Sequence, residues 1–186
     1  MEKHHVCPWW FGYFLASPIR RLEYNPARIL APYVHEGMTV LEPGPGMGFF
    51  TLEIARRVGA SGRVIAVDIQ LRMIERLKRR AEKAKLLERV EARIARPDSM
   101  ELSRLADSVD FVFAFAVVHE MRDTKAFFAE AARSMKAGAR MLLAEPSGHV
   151  SADEFEAELG AAGQAGLEVE EQPAIRRSRT AILRKS

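Results

Sequence analysis

The chain has one cysteine, Cys7, in 186 residues. That excludes an internal disulfide framework and leads to the expectation of a reducing, cytoplasmic setting. No apolar run approaches the ~20 residues needed to span a bilayer as a helix. The nearest, Val6 to Ala16, is interrupted by Pro8 and Gly12 and meets Pro18 at once. It is aromatic (Trp9, Trp10, Phe11, Tyr13, Phe14) rather than leucine-rich, so it reads as part of the folded protein and not as a secretory leader. Charge of one sign is scarce as well. The formal net charge is +3, with bases interleaved among acids, and such a balance makes no demand for nucleic acid. Internal repeats and low-complexity stretches are absent. What remains is ordinary globular composition, 48% apolar and 28% charged, long enough for one domain with a real core.

The most informative stretch is Thr39-Val40-Leu41-Glu42-Pro43-Gly44-Pro45-Gly46-Met47-Gly48-Phe49-Phe50. A short apolar run ends in an acid and three alternating glycines, and Phe49–Val58 then shows helical periodicity. A strand, a glycine-rich turn and a helix form the front half of a nucleotide-binding unit. Dinucleotide sites want G-x-G-x-x-G, whose third glycine packs helix on strand. Counted from Gly44, that position is Phe49, which is too large. A carboxylate placed before the glycines would also face a pyrophosphate with like charge, whereas it suits a cationic amino-acid end. The residue chemistry therefore favours a positively charged, nucleoside-containing ligand over NAD.

The remaining chain alternates strand and helix. Residues 1–35 form an N-terminal arm with Asn25 capping a helix over Ala27–Val34. Arg63–Asp68 is a second buried strand, and Asp68 lies about 20 residues beyond the glycines, where an acid can take hydrogen bonds from ribose hydroxyls. Ile69 could lie against a purine. A helix over Leu71–Leu87 carries Arg76, Arg79, Arg80 and Lys83 on a solvated outer face with Glu75 and Glu82. Val90–Ala95 is a third strand. Asp98-Ser99 either reaches an adenine amino group or caps a helix over Glu101–Ala106. Val109–Ala114 is a fourth strand, Lys125–Met135 a helix closed by Gly138, and Ala139–Ala144 a fifth strand. Ser151–Gln164 is helical, and Leu167–Glu171 with Ile175–Leu183 forms an antiparallel hairpin. Near-continuous apolar strands alternating with helices indicate an α/β fold, a doubly wound parallel sheet with helices on both faces. Ligands are expected beyond the carboxyl ends of its strands.

The chain resembles the class I S-adenosylmethionine-dependent methyltransferases over about residues 37–184. Four segments carry the likeness in order: Val40–Gly48, Val64–Asp68, Asp110–Glu120 and Ala137–Pro146. The His119-Glu120 pair is most similar to the methyltransferase type 11 group, which includes ubiquinone/menaquinone-biosynthesis enzymes. The resemblance implies a Rossmann-like seven-stranded sheet of order 3-2-1-4-5-7-6 with strand 7 antiparallel, and a core of residues 36–186 behind the arm. It implies S-adenosyl-L-methionine as cofactor and S-adenosyl-L-homocysteine as product. Glu42 and the turn Gly44, Pro45, Gly46 and Gly48 would receive the methionine end. Asp68 would bind the ribose, Ile69 the adenine face, and Asp98 with the Ser99 backbone the adenine edge. The backbone at Ala114-Phe115 would hold the amino group.

Methyl transfer needs a base only if the acceptor must lose a proton. His119 is the first candidate, with Glu120 as a possible orienting partner, and His149 is the second. Trp9, Trp10 and Tyr13 would wall an apolar or aromatic acceptor beneath a lid, or pack against the sheet edge or a second copy in a homodimer. His4, His5 and Cys7 stand close together without a distant fourth donor, so no metal is expected. Nucleic-acid signatures are missing after the fourth strand, which favours a small-molecule acceptor. Two alternatives stay open: a methyltransferase-fold protein that binds cofactor or partner without turnover, and an RNA methyltransferase using Arg176, Arg177, Arg179, Arg184 and Lys185.

Overall fold

The computed structural model of the protein describes residues 24–186. Within them, contacts separate one compact unit that runs through Ala95 from another that spans Arg96–Ser186.

The first unit contains α1 (Pro26–Leu30), β1 (Thr39–Pro43), α2 (Thr51–Arg57), β2 (Arg63–Asp68), α3 (Leu71–Lys83) and β3 (Val90–Ile94). Asn25 caps α1 by accepting the Arg28 amide at 3.2 Å, and Pro26 sits in the first turn, where its missing N–H is no loss. Strand β2 pairs in parallel with both β1 and β3. Val40, Leu41, Val64, Ile65 and Ala66 are buried, as unbroken apolar runs in central parallel strands require. Met73, Ile74, Leu77 and Ala81 form the buried face of α3. The helix stops at Lys83, short of Leu87, because Lys85 takes a left-handed φ of 58° before a 3₁₀ turn at Leu87–Arg89. Likewise α2 begins at Thr51 and not at Phe49, since Gly48 is left-handed at φ 82°.

The second unit contains β4 (Val109–Phe115), α4 (Thr124–Ser134), β5 (Met135–Pro146), α5 (Ala152–Gln164), β6 (Leu167–Glu171) and β7 (Ser178–Lys185). Strand β5 lies parallel to β4 and antiparallel to β7, and β7 is antiparallel to β6. Ser151 and Glu154 make a capping box at the start of α5. Three local expectations are corrected. No helix forms over Glu101–Ala106, only a 3₁₀ turn at Ser103–Leu105. Glu101 is left-handed at φ 55°, and the Glu130 carboxylate accepts the Met100 and Leu102 amides at 2.9 and 2.8 Å in place of helical carbonyls. Gly138 does not close α4, because β5 starts directly at Met135. Gly138 lies inside β5 at φ 72°, where the register against β4 slips from Val109↔Met135 to Phe111↔Arg140. The last strand begins at Ser178 because Ser178 N–H closes a turn on the Ile175 carbonyl at 3.1 Å, with Arg177 left-handed.

The seven strands follow the order β3-β2-β1-β4-β5-β7-β6 in one sheet, with β7 antiparallel. Among the described residues, no helix is long and apolar enough to cross a membrane.

Gly62 shows how closely α2 and β2 are joined. A Cβ there would come within 2.6 Å of the Met38 and Val58 carbonyl oxygens, and backbone cannot yield as a side-chain tip can. Gly62→Ala is expected to destabilise by roughly 1–3 kcal/mol through overpacking. Urea unfolding should show a lower midpoint at unchanged slope. An unchanged midpoint would mean that the turn relaxes freely.

Candidate functional site

In the first unit, the parallel register Glu42↔Ala66 and Pro43↔Val67 brings the carboxyl ends of β1 and β2 together. Glu42 and Asp68 are thereby delivered to the same end of neighbouring strands. Gly44 N–H donates to the Val67 carbonyl at 2.9 Å, so the turn leaves β1 under local control. Gly44, Gly46 and Gly48 all adopt left-handed φ values of 62°, 53° and 82°, which an L side chain would strain. Two of these glycines do different work. A Cβ on Gly46 would meet nothing within 4 Å, which leaves bare backbone facing open space. A Cβ on Gly48 would lie 2.4 Å from Leu77 Cδ1, so Gly48 lets α3 pack on the turn.

The two carboxyl groups are unusual. Burial pushes the Asp68 pKa up to about 6, restrained by hydrogen bonds from the Gln70, Gly46 and Ile69 amides. The Gln70 amide donates to Oδ1 at 2.8 Å. Burial pushes Glu42 up to about 8; the nearby Thr51 hydroxyl opposes this and the Asp68 charge adds to it. Neither Glu42 Oε2 nor the Thr51 hydroxyl completes a hydrogen bond within the described residues. A buried carboxyl oxygen without a donor is costly, and an incoming ammonium group would satisfy it. Next to Asp68, Ile69 is exposed.

In the second unit, Asp98 is exposed and pairs with Arg96 at 3.7 Å. The Ser99 amide donates to the Arg96 carbonyl at 3.3 Å, and its hydroxyl donates to Glu130 at 3.2 Å. Ala114 and Phe115 end β4 in buried positions. Ala116 is left-handed at φ 55° and donates its N–H to the Ala144 carbonyl at 2.7 Å, and there the chain leaves the sheet. His119 follows in a 3₁₀ turn, Val118–Glu120.

The partner of His119 is Glu145, near the end of β5. Glu145 is fully buried, and its Oε1 accepts the Val117 and Val118 amides at 3.1 and 2.8 Å. Its Oε2 makes a short hydrogen bond with His119 Nδ1. Burial alone would lower the His119 pKa, but the hydrogen bond and charge of Glu145, with Glu120 and Glu158 adding to them, raise it. Glu120 thus contributes charge, while Glu145 orients the ring. The His149 ring packs edge-on against His119 at 6.0 Å between centroids. Glu158, on α5, is buried with Oε2 unsatisfied; its pKa is pushed up to about 8, first by burial and then by the Glu145 charge. Sequence reading missed Glu145 and Glu158. The available signal was an acid at the end of an otherwise apolar strand, as at Glu42. Trp9, Trp10 and Tyr13, like His4, His5 and Cys7, lie outside the described residues. No cluster of three metal-binding side chains occurs among the described residues.

The methyltransferase domain family matches residues 34–177. The chain belongs to the methyltransferase domain family. Among curated proteins, this methyltransferase-domain chain is 29% identical over 132 residues to an uncharacterized 37.1 kDa protein in transposon TN4556 of Streptomyces fradiae. That match covers 71% of the chain and 37% of the relative, so the chain spans little more than a third of that protein. Its fold is similar to that of a S-adenosylmethionine-dependent methyltransferase from Aquifex aeolicus, at a TM-score of 0.85 and 24% identity, covering 96% of this chain and 98% of that one. The [4+2]-cyclase SpnF has a similar fold at a TM-score of 0.68 and 18% identity, covering 81% and 61%. The cofactor implied for a methyltransferase-domain protein of this fold is S-adenosylmethionine. The residues present fit it, through the donor-less Glu42 oxygen and the open backbone at Gly46.

The raised Glu42 pKa predicts how stability changes with pH. Between the ordinary glutamate value of 4.5 and about 8, the folded state holds a proton that the unfolded state has lost. Stability of the cofactor-free methyltransferase-domain protein should therefore fall as pH rises through that window. Glu158 and Asp68 act with the same sign, so the comparison with Glu42→Gln isolates the Glu42 share. The variant's Tm should fall less steeply with pH and exceed that of the wild type by a few degrees near pH 8. Parallel Tm curves for the two proteins would remove Glu42 as the source.

Proposed function

We propose that the protein is an S-adenosylmethionine-dependent methyltransferase acting on a small, apolar or aromatic acceptor in the cytoplasm. The observation that carries this reading is the buried Glu42 carboxyl, whose Oε2 has no donor among the described residues, just before the open glycine backbone, with Asp68 one strand away. When bound, the cofactor supplies an electrophilic methyl group on a sulfonium centre, and the protein supplies binding and orientation. Glu42 would accept the cofactor's ammonium group, and the backbone of the turn Gly44, Pro45, Gly46 and Gly48 would border the same amino-acid end. Asp68 would accept ribose hydroxyls, and exposed Ile69 would cover the adenine face. To Asp98 we assign the adenine amino group, since the Ser99 amide already bonds to Arg96. The Ala114-Phe115 backbone keeps the role that the family resemblance implies.

His119 is assigned to proton removal from the acceptor. With Nδ1 held by Glu145, Nε2 is the nitrogen left to take that proton. Glu145 is a positioning residue, acting through the ring. His149 beside His119, and Trp9, Trp10 and Tyr13 in the N-terminal segment, are assigned to acceptor binding. A second reading, cofactor binding with chemistry other than methyl transfer, is favoured by the likeness to SpnF, because fold does not fix reaction.

Saturating S-adenosylhomocysteine should raise the Tm by several degrees, since ligand at about 100 times its Kd adds about 2.7 kcal/mol. Asp68→Ala should abolish that shift. A wild-type protein with no shift at saturation would end the cofactor assignment.

The role of Glu145 can be read by ¹⁵N-histidine NMR. In the wild type, His119 should titrate above 6.5, with its neutral ring protonated at Nδ1. In Glu145→Gln, the side-chain carbonyl can still accept the Val117 and Val118 amides, while its NH₂ group faces Nδ1. The neutral ring should then carry its proton on Nε2, and the pKa should fall. An unchanged tautomer and pKa would remove Glu145 from this role.

A further inference from the structure

We infer that Arg80 is a positioning residue for the glycine turn, holding the Met47 carbonyl so that the turn is already shaped for the amino-acid end of the cofactor. The inference rests on the cofactor reading above and adds a residue that neither the glycine motif nor the family resemblance includes.

The turn needs external support. Three left-handed glycines fall within five residues, Gly44 to Gly48, and glycine loses more conformational freedom on ordering than any other residue. Its own hydrogen bonds are few: Gly44 N–H donates to the Val67 carbonyl and Gly48 N–H donates to the Pro45 carbonyl, both at 2.9 Å, and the Gly46 amide donates to Asp68, which leaves the Met47 carbonyl to be held from outside the turn. Helix α3 provides the rest. Leu77 fills the space above Gly48, and Arg80, three residues later on the same helix side, donates from Nη1 to the Met47 carbonyl at 2.5 Å. The sequence pattern puts Arg80 with Arg76, Arg79 and Lys83 on a solvated face. In the fold Arg80 is half-buried and its guanidinium turns towards residue 47, while Arg76, Arg79 and Lys83 stay exposed.

A hydrogen bond from a charged donor at this depth is stronger than one between neutral groups. It constrains Met47, the residue between the open glycine and the packed one. A turn held in shape before binding spares the ligand the ordering entropy. That benefit goes only to a ligand that touches the turn, namely one with an amino-acid end.

The test compares two probes by isothermal titration calorimetry, S-adenosylhomocysteine and methylthioadenosine. The second keeps the nucleoside and thioether but lacks the amino-acid carbons. Arg80→Met retains most of the packing stem and removes the donor. It should weaken S-adenosylhomocysteine about tenfold while changing methylthioadenosine by less than about twofold, as expected for lost preorganisation of the turn alone. Arg80→Lys should fall between variant and wild type, and it carries the comparison if Arg80→Met does not fold. Equal loss of both probes, or no loss of either, would overturn the inference. A wild-type protein that does not bind S-adenosylhomocysteine would instead overturn the cofactor reading beneath it.

Discussion

A carboxyl group buried at the carboxyl end of β1, with one oxygen lacking a hydrogen-bond donor among the described residues, is the constraint on which the candidate site depends. Glu42 is almost inaccessible, its Oε2 has no partner among the described residues, and the Asp68 charge adds to the difficulty of ionising it. A protein that needed only stability would place an apolar residue there. Keeping an acid makes sense if a cationic group arrives to share it. The neighbouring features follow from that need. Gly46 leaves backbone open beside the acid, Gly48 lets α3 press onto the turn, and Asp68 stands one strand away with its own amide donors.

The second unit repeats the arrangement with a different outcome. Glu145 also ends a buried strand, but its carboxylate meets three donors: two backbone amides and the His119 ring. Satisfied in this way, it fixes the turn after β4 and holds the imidazole in one orientation. The contrast between the two acids is informative. Glu42 has a lone oxygen and is suited to a ligand, whereas Glu145 is fully engaged and is suited to positioning a side chain. Glu158 shares the burial of Glu42 and, among the described residues, its unsatisfied oxygen, but it lies beside an existing charged pair.

Much of the fold was legible in local pattern. Unbroken apolar runs marked the parallel strands, Asn25 and Ser151 marked helix starts, and the final two strands read as a hairpin. Errors came where a distant group replaced a local one. The stretch after Ser99 reads as a capped helix, yet Glu130, about thirty residues on, takes the amides that a helix would have used. Gly138 reads as a helix cap because such caps are common, yet it serves a slip in strand register. Arg80 reads as solvated because its neighbours at helical spacing are, yet its guanidinium turns inward to donate to the Met47 carbonyl.

The sequence by itself determined the α/β class, the acid-and-glycine turn and the placing of Asp68 at the end of the next strand. These depend on periodicity and spacing within a few residues. Only the tertiary structure decided that His119 pairs with Glu145 and not Glu120, that Glu42 Oε2 lacks a donor among the described residues, and that Arg80 reaches the Met47 carbonyl. Each of those outcomes depends on which strand or helix lies alongside, and on how far burial removes a charge from water. Neither is written in the residues flanking it.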